Sequence, residues 1–433
     1  MSKVTNVIII GSLIRFLLPT LFPQITTILD SSVDFSTPIT SFKSLQESFY
    51  YFSHGINLYD GGNNHHAPLL VILLSFVNSL PGSSIWFNLL YTAVDVLITY
   101  KLIFINRWYN EYLTKRTGRK HEGFEDYLIA CFYLFNPLII LTNLSHSTVV
   151  FPWVFLFESV VQIIKHENVP RAMISLSIAS YLSINYMNLI PCFLAFAHIL
   201  KKQDPRAKIH QIYVEGLGIF VACSSLLVLT SFIVTASWKF LDNVYLTNVL
   251  FTKIKPNLGL WWYLFTEMFE NYTQFYIIVF NLYCFIFVLP ITLRLFEYST
   301  ADGKQGKTGD GLLAIVLCLI WISFTKSYPI LGDLGLCLSL LAIFKTTVVK
   351  HCKFKYITGI TLIVGLLLSP IFYYIWIVLG SGNANFFYSI SLIWGGVHIL
   401  LMMDLLWTKL SVDYYEENGV DVELEEKPVL AQI

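Results

Sequence analysis

From Val4 to Phe22 the chain carries one charged residue, Arg15, and apolar runs of this kind recur almost to its end. A bilayer's hydrocarbon core takes about 20 consecutive apolar residues as a helix, because every backbone N–H and C=O must be paired within the segment. The runs commit the chain to an all-α polytopic membrane fold. Composition agrees, with 55% hydrophobic and 13% charged residues, where soluble domains carry about 25% charged. Lysine plus arginine and aspartate plus glutamate balance at 28 each, so no excess of positive charge invites nucleic acid. Arg15 inside the first run, with no small-residue cleavage site after it, argues for a retained helix over a signal peptide.

Ala67 to Leu80 is too short to span and ends at Pro81-Gly82, which predicts a re-entrant or interfacial helix. The next span is Ser84 to Ile105. Further segments are expected at Tyr127–Thr142, Val149–Ile164, Ala172–Ile184, Leu189–Leu200, Ile212–Ala236 and Phe275–Leu293, then at Leu312–Phe324, Ile330–Phe344, Tyr356–Leu379 and Phe386–Trp407. Cytosolic loops accumulate Lys and Arg. With the N-terminus in the cytosol, that side receives 21 of the 28 bases, including the loops Arg107 to Lys120, Lys201 to Lys208 and Lys345 to Lys355. The other side receives Lys43, Lys239, Lys253, Lys255 and Lys326, with Arg15 and Lys101 inside helices. This asymmetry requires Ala172 to Leu200 to be a hairpin bent near Asn185 to Asn188. About twelve crossings result, with both termini cytosolic. The expected organisation is a single transmembrane domain over 1–410, with non-cytosolic loops at 23–66 and 237–273, and an acidic cytosolic tail over 411–433. The basic loop Lys201 to Lys208 is also a candidate contact for anionic lipid heads.

The seven cysteines are scattered, without a C-x-x-C pair, and read as small core residues. Two N-x-S/T triplets, at Asn143 and Asn271, fall on the non-cytosolic side. No internal repeat, nucleotide-binding loop or H-E-x-x-H signature is present. Asp95 and Glu158 lie within apolar spans, where a charge is expensive and should face a partner inside the bundle; Arg15 is the candidate partner of Asp95.

Three non-cytosolic stretches carry functional potential. The loop 23–66 holds Asp30, Asp34, Lys43, Glu47, Asp60, His54, His65 and His66. Paired acids beside a membrane helix suit proton transfer from a sugar hydroxyl with a cation held against a lipid phosphate; the plainer reading has Asp30 and Ser36 capping turns or helices and the histidines at the membrane surface. PNLGLWWYLFTEMFENY places Trp262, Phe265, Phe269 and Tyr272, with Glu267 and Glu270, on one expected interfacial helix, a platform for lipid or a partner helix. GSGNANFFY offers Asn383 and Asn385, whose amides donate to phosphate oxygens and accept from sugar hydroxyls. A lipid held there would keep its chains beside apolar helices. The plainer reading is an Asx-stabilised turn.

DFSTPITSFKSLQES, LYDGGNNHHAPLL, PNLGLWWYLFTEMF, KSYPILGD and SGNANFFY, spread from Asp34 to Tyr388, closely resemble the PIG-U family, a membrane subunit of the glycosylphosphatidylinositol (GPI) transamidase. That family is similar in fold to the GT-C glycosyltransferases, particularly the GPI mannosyltransferase PIG-M, which uses dolichyl-phosphate mannose. The mannosyltransferase carries an Asp-x-Asp element and later T-P-L-L; here Ser32-Val33-Asp34-Phe35 and Ala67-Pro68-Leu69-Leu70 stand in those places. Ser32 for the leading acid removes a metal ligand and half of an acid/base pair.

The resemblance implies a non-catalytic subunit of an endoplasmic-reticulum complex, without a cofactor or metal. Its partners would be PIG-K, which supplies the cleaving cysteine, PIG-T, PIG-S and a GAA-type subunit. The expected role is to hold GPI by Asn383 and Asn385, with Asp34, Ser36, Trp262, Phe265, Glu267 and Phe269 as further lumenal contacts and membrane lipids around the helices. The alternative is an active mannosyltransferase using Asp34, with Asp30 or Glu47 as accessory.

Overall fold

The structure is a computed structural model and describes residues 2–118, 120–166, 168–201, 209–298 and 307–418. Most of the basic loop 201–208, Lys304, and the tail beyond residue 418 lie outside the described residues. Helices follow the apolar runs: α1 (Lys3–Leu21), α2 (Gln24–Ser31), α3 (Phe42–Ser53), α4 (Pro68–Asn78), α5 (Ser83–Thr117), α6 (Asp126–Leu134), α7 (Pro137–Leu144), α8 (Val150–His166), α9 (Val169–Leu182) and α10 (Ile190–Lys201). The second half holds α11 (Ile209–Thr235), α12 (Thr247–Leu250), α13 (Trp261–Glu267), α14 (Glu270–Ile286), α15 (Val288–Phe296), α16 (Gly311–Thr325), α17 (Leu331–Leu341), α18 (Lys355–Tyr373) and α19 (Ala384–Glu417). Two π-helical stretches, Leu241–Leu246 and Tyr374–Val378, precede α12 and extend α18. The only extended pairing among the described residues joins Glu297–Tyr298 to Lys307–Thr308.

The expected crossings number about twelve; by length and composition six described helices are able to cross a membrane, or seven if the bent pair α6 and α7 forms one span. The shortfall has local causes. Tyr127–Thr142, expected as one helix, is broken by 53° between α6 and α7. Pro137 disfavours the helical conformation at Asn136, which is extended (φ −66°, ψ 117°) and caps α7 through its side-chain oxygen to Leu138 N. A short 3-10 turn, Ile184–Leu189, separates α9 from α10 where the bend near Asn185 to Asn188 was expected. α16 has only 15 residues, yet every one of them is buried. It packs against α10, α15, α17 and α19. A helix apolar on all sides belongs inside the bundle. Few residues of α11, α14 with α15, and α18 are buried. α19 continues past residue 410 to Glu417, with Asp413 buried against Lys409 at 2.8 Å.

Asp95 and Glu158, the two acids singled out within apolar spans, are paired. Arg15 Nε lies 2.5 Å from Asp95 Oδ2 with both side chains fully buried. Tyr133 OH donates to Asp95 Oδ1 at 3.0 Å, and Arg15 Nη1 donates to Leu134 O at 2.8 Å. Glu158 pairs with Lys101 across α5 and α8. All seven cysteines are free thiols.

Candidate functional site

The loop after α2 sends its two acids in different directions. Asp30 Oδ1 accepts from Ser36 Oγ (2.8 Å) and Phe42 N (2.9 Å), and Oδ2 from Lys43 N (2.9 Å) and Ser41 Oγ (3.2 Å). It therefore caps the start of α3, where a carboxylate also meets the positive end of the helix dipole. Asp34 turns into the bundle instead. Ser369 Oγ on α18 donates to its Oδ1 at 2.6 Å, and its backbone carbonyl accepts from Leu331 N at 2.9 Å. Burial raises its carboxyl pKa against the opposing Ser369 bond. Glu47 is engaged by Asn63 Nδ2 at 3.3 Å and by Tyr51 OH at 2.5 Å. No group of three His, Cys, Asp or Glu positioned to share a metal occurs among the described residues.

A small cavity of about 20 Å³ beside Asp34 is lined by Leu258, Leu331, Ser369, Ile390 and Trp394 among others. It gathers the DFST, PNLGLWW and PILGD stretches against α18 and α19. Trp394 Nε1 is buried without a hydrogen-bond partner. Lys326 and Asp333 form a buried ion pair, and Asp333 accepts from Ile330 N at 3.0 Å, capping α17. Gly332 is needed at that cap, since a Cβ there would come within 2.5 Å of Thr142 Oγ1.

The histidines expected at the membrane surface divide: His54 is exposed, whereas His65 and His66 are buried. His65 Nδ1 meets Asn243 O at 2.7 Å and His66 Nε2 meets Ser41 O at 3.0 Å. Burial lowers the pKa of His65 and pushes His66 down to about 4.

The single helix expected over 256–272 is two helices, α13 and α14, parted by extended Met268 (φ −81°, ψ 142°). The four aromatics therefore do not share one face. Trp262 is 1% exposed and Phe265 is buried, whereas Phe269 is 78% exposed and Tyr272 also faces out. Trp262 Nε1 donates to Ser391 Oγ at 3.1 Å, tying α13 to α19. Glu267 is exposed at the end of α13, and Ser36 is buried against Asp30.

Asn383 is the N-cap of α19, its Oδ1 accepting from Asn385 N at 3.1 Å. Asn385 Oδ1 accepts from Tyr263 OH, and Tyr263 stacks on Tyr388 with centroids 4.0 Å apart. Both amide oxygens are thus used internally, which fixes the two exposed side chains with their NH₂ groups unspent. No hydrogen bond joins Asp34 to either asparagine. Ser369, Trp394 and Tyr263 were not singled out from sequence; a serine before Pro370 within an apolar run is the sole hint for Ser369.

A family profile described as GPI transamidase subunit PIG-U matches residues 9–394. The chain belongs to the PIG-U family. It is 34% identical over 407 residues to the GPI transamidase component GAB1 of Saccharomyces cerevisiae, covering 94% of each chain. The GAB1 homolog of Schizosaccharomyces pombe is 30% identical over 393 residues, covering 89% of this chain and 88% of the relative. The human GPI-anchor transamidase component PIGU is 26% identical over 413 residues, covering 90% and 89%. These similarities support the role of GPI transamidase subunit and give none to the mannosyltransferase alternative.

Proposed function

We propose that this PIG-U family chain is a non-catalytic subunit that presents the GPI glycolipid to the transamidase. The observation that carries the reading is the turn between α18 and α19. Two exposed asparagines there have their oxygens engaged and no hydrogen bond from their NH₂ groups among the described residues, in a turn flanked by exposed Ile377, Val378, Leu379 and Phe386. Amide donors suit the phosphate oxygens of the head, and the apolar residues suit its chains. Exposed Phe269 and Glu267 are the remaining outward contacts; Asp34, Ser36, Trp262 and Phe265 support the turn and the loop from within.

In this reading the scaffold is a GT-C-like bundle of about twelve crossings, several made by helices shorter than a full span and shielded by their neighbours. It is a single transmembrane domain over 1–410 with lumenal loops 23–66 and 237–273 and a cytosolic tail over 411–433. Both termini face the cytosol and the membrane is that of the endoplasmic reticulum. PIG-K, PIG-T, PIG-S and a GAA-type subunit are its partners, and the cysteine chemistry is theirs.

The test is the paired replacement Asn383→Leu and Asn385→Leu in the assembled complex. Photo-crosslinking of a GPI analogue to this subunit and attachment of GPI to a proprotein should both fall, with subunit co-purification unchanged. Full crosslinking and attachment would refute the role of the turn.

A further inference from the structure

Another pocket, of about 490 Å³, lies between the end of α1, α2, the starts of α3 and α5, and the end of α4. Small-molecule sites fall at about 300–1,000 Å³, so it has room for a headgroup. It shares no lining residue with the α18–α19 turn.

Its electrostatics are uneven. The Asp30 carboxylate is engaged by the four donors of the α3 cap. Opposite, Ser83 and Ser84 open the 35-residue α5, whose N-cap is Gly82 (φ 69°), with no side-chain cap and no acid in the first turn. The first N–H groups of such a helix remain available and carry its positive pole. Lys43 stands exposed at the rim and makes no ion pair among the described residues. Together these favour a phosphate.

A second, independent feature is His146. Its ring is 4% exposed, in edge contact with Phe42 at 4.8 Å and stacked on Tyr91 at 4.6 Å. Its backbone is left-handed (φ 53°), and its carbonyl is held by Tyr91 OH at 2.5 Å. A histidine in that conformation is strained and persists because its surroundings fix it. Nδ1 is nevertheless buried without a partner. Burial pushes the imidazole down to about 3, so at cellular pH it is neutral and offers one donor and one acceptor. Thr26, Gln46 and Asn78 add groups of the same mixed kind. A bare anion has no use for acceptors, whereas a ring of hydroxyls uses both. Leu21, Phe22, Ile28, Leu80 and Ile85 are all exposed on the lining helices or beside them, a setting for acyl chains.

We propose that this pocket binds the phosphorylated polyol headgroup of a membrane phospholipid, with the phosphate at Lys43 and the start of α5 and the ring hydroxyls toward His146. The site is separate from the glycolipid contact proposed above.

The test uses the assembled complex in nanodiscs of phosphatidylcholine doped with phosphatidylinositol or phosphatidylserine, with retained lipid read by native mass spectrometry. Phosphatidylinositol should be retained in preference to phosphatidylserine. Lys43→Glu and Ser84→Asp should each weaken its retention on the order of tenfold. Ser84→Asp is informative because an acid in the first turn favours the helix while repelling a phosphate. Asn383→Leu with Asn385→Leu should leave retention intact; its loss there, with normal retention in Lys43→Glu, would overturn this proposal and leave the glycolipid reading standing. Equal retention of phosphatidylserine, unchanged retention in both pocket variants, or binding of soluble glycerophosphoinositol without retention of the lipid would each overturn it too.

Discussion

Replacing Asp95 by alanine should be among the most damaging single changes away from the candidate site. The Arg15 guanidinium would keep carbonyl contacts to Gly11 and Leu134 but lose the Asp95 counter-charge, 2.5 Å away and fully buried. Removing one partner of a buried pair costs about 3–5 kcal/mol, because an uncompensated charge stays in low dielectric. Arg15→Met should cost a similar amount, as Asp95 would retain only the neutral side-chain donors Tyr133 and Asn143. The double variant Arg15→Met, Asp95→Leu removes both charges. Its main residual loss is the acceptor for the Tyr133 hydroxyl, about 1–3 kcal/mol. Unfolding of the purified chain in detergent, followed by tryptophan fluorescence across a denaturant series, measures all three variants. A double variant that loses the sum of the singles, about 6 kcal/mol or more, would refute a coupled pair.

Asp34 and the buried histidines give two further tests. Asp34→Asn keeps an acceptor for the Ser369 hydroxyl and removes a buried carboxyl, so it should cost less than about 1 kcal/mol, whereas Asp34→Leu strands that hydroxyl and should cost about 1–3 kcal/mol; equal losses in detergent stability would contradict the Ser369 contact. An unfolded histidine titrates near about 6.5, and His66 and His146 when folded titrate at about 4 and about 3. Below pH 6.5 the unfolded chain takes up protons that the folded one refuses, so stability held above that pH is lost as pH falls toward 4, at up to about 1.4 kcal/mol per unit for each histidine. Asp34, raised by burial, protonates earlier in the folded chain and offsets part of the loss. Thermal midpoints between neutral and mildly acidic pH should fall for the unaltered chain and flatten in His66→Gln, His146→Asn, asparagine being tolerant of left-handed backbone; an unchanged slope would exclude these two groups.

Segment positions were legible because apolar runs leave a long imprint: α1, α5, α11, α18 and α19 start within a few residues of their expected starts. The Arg15–Asp95 pair was legible for a related reason, since few charges occur at membrane depth and each needs a partner. The count of spans was less so. Charge bias reports which side a loop lies on, but whether 10–17 apolar residues cross depends on how neighbours shield their ends. The break at Met268 has no glycine or proline to announce it; it follows from burial of Trp262 and Phe265 while Phe269 stays outside. His146 left no periodic signal, because a left-handed backbone and a ring wedged between Phe42 and Tyr91 are products of long-range packing. The Asx turn at Asn383 was legible as the plainer reading of that stretch, whereas the tie of Asn385 to Tyr263, far away in sequence, was not.

α16 carries a consequence for how the chain is made. Too short to be held by lipid alone and enclosed on every side, it has no stable resting place until α19, the last of the described helices, closes over it. Maturation of the middle of the protein therefore waits on its end, and a ribosome that stops before residue 384 leaves a greasy rod without a home for quality control to find.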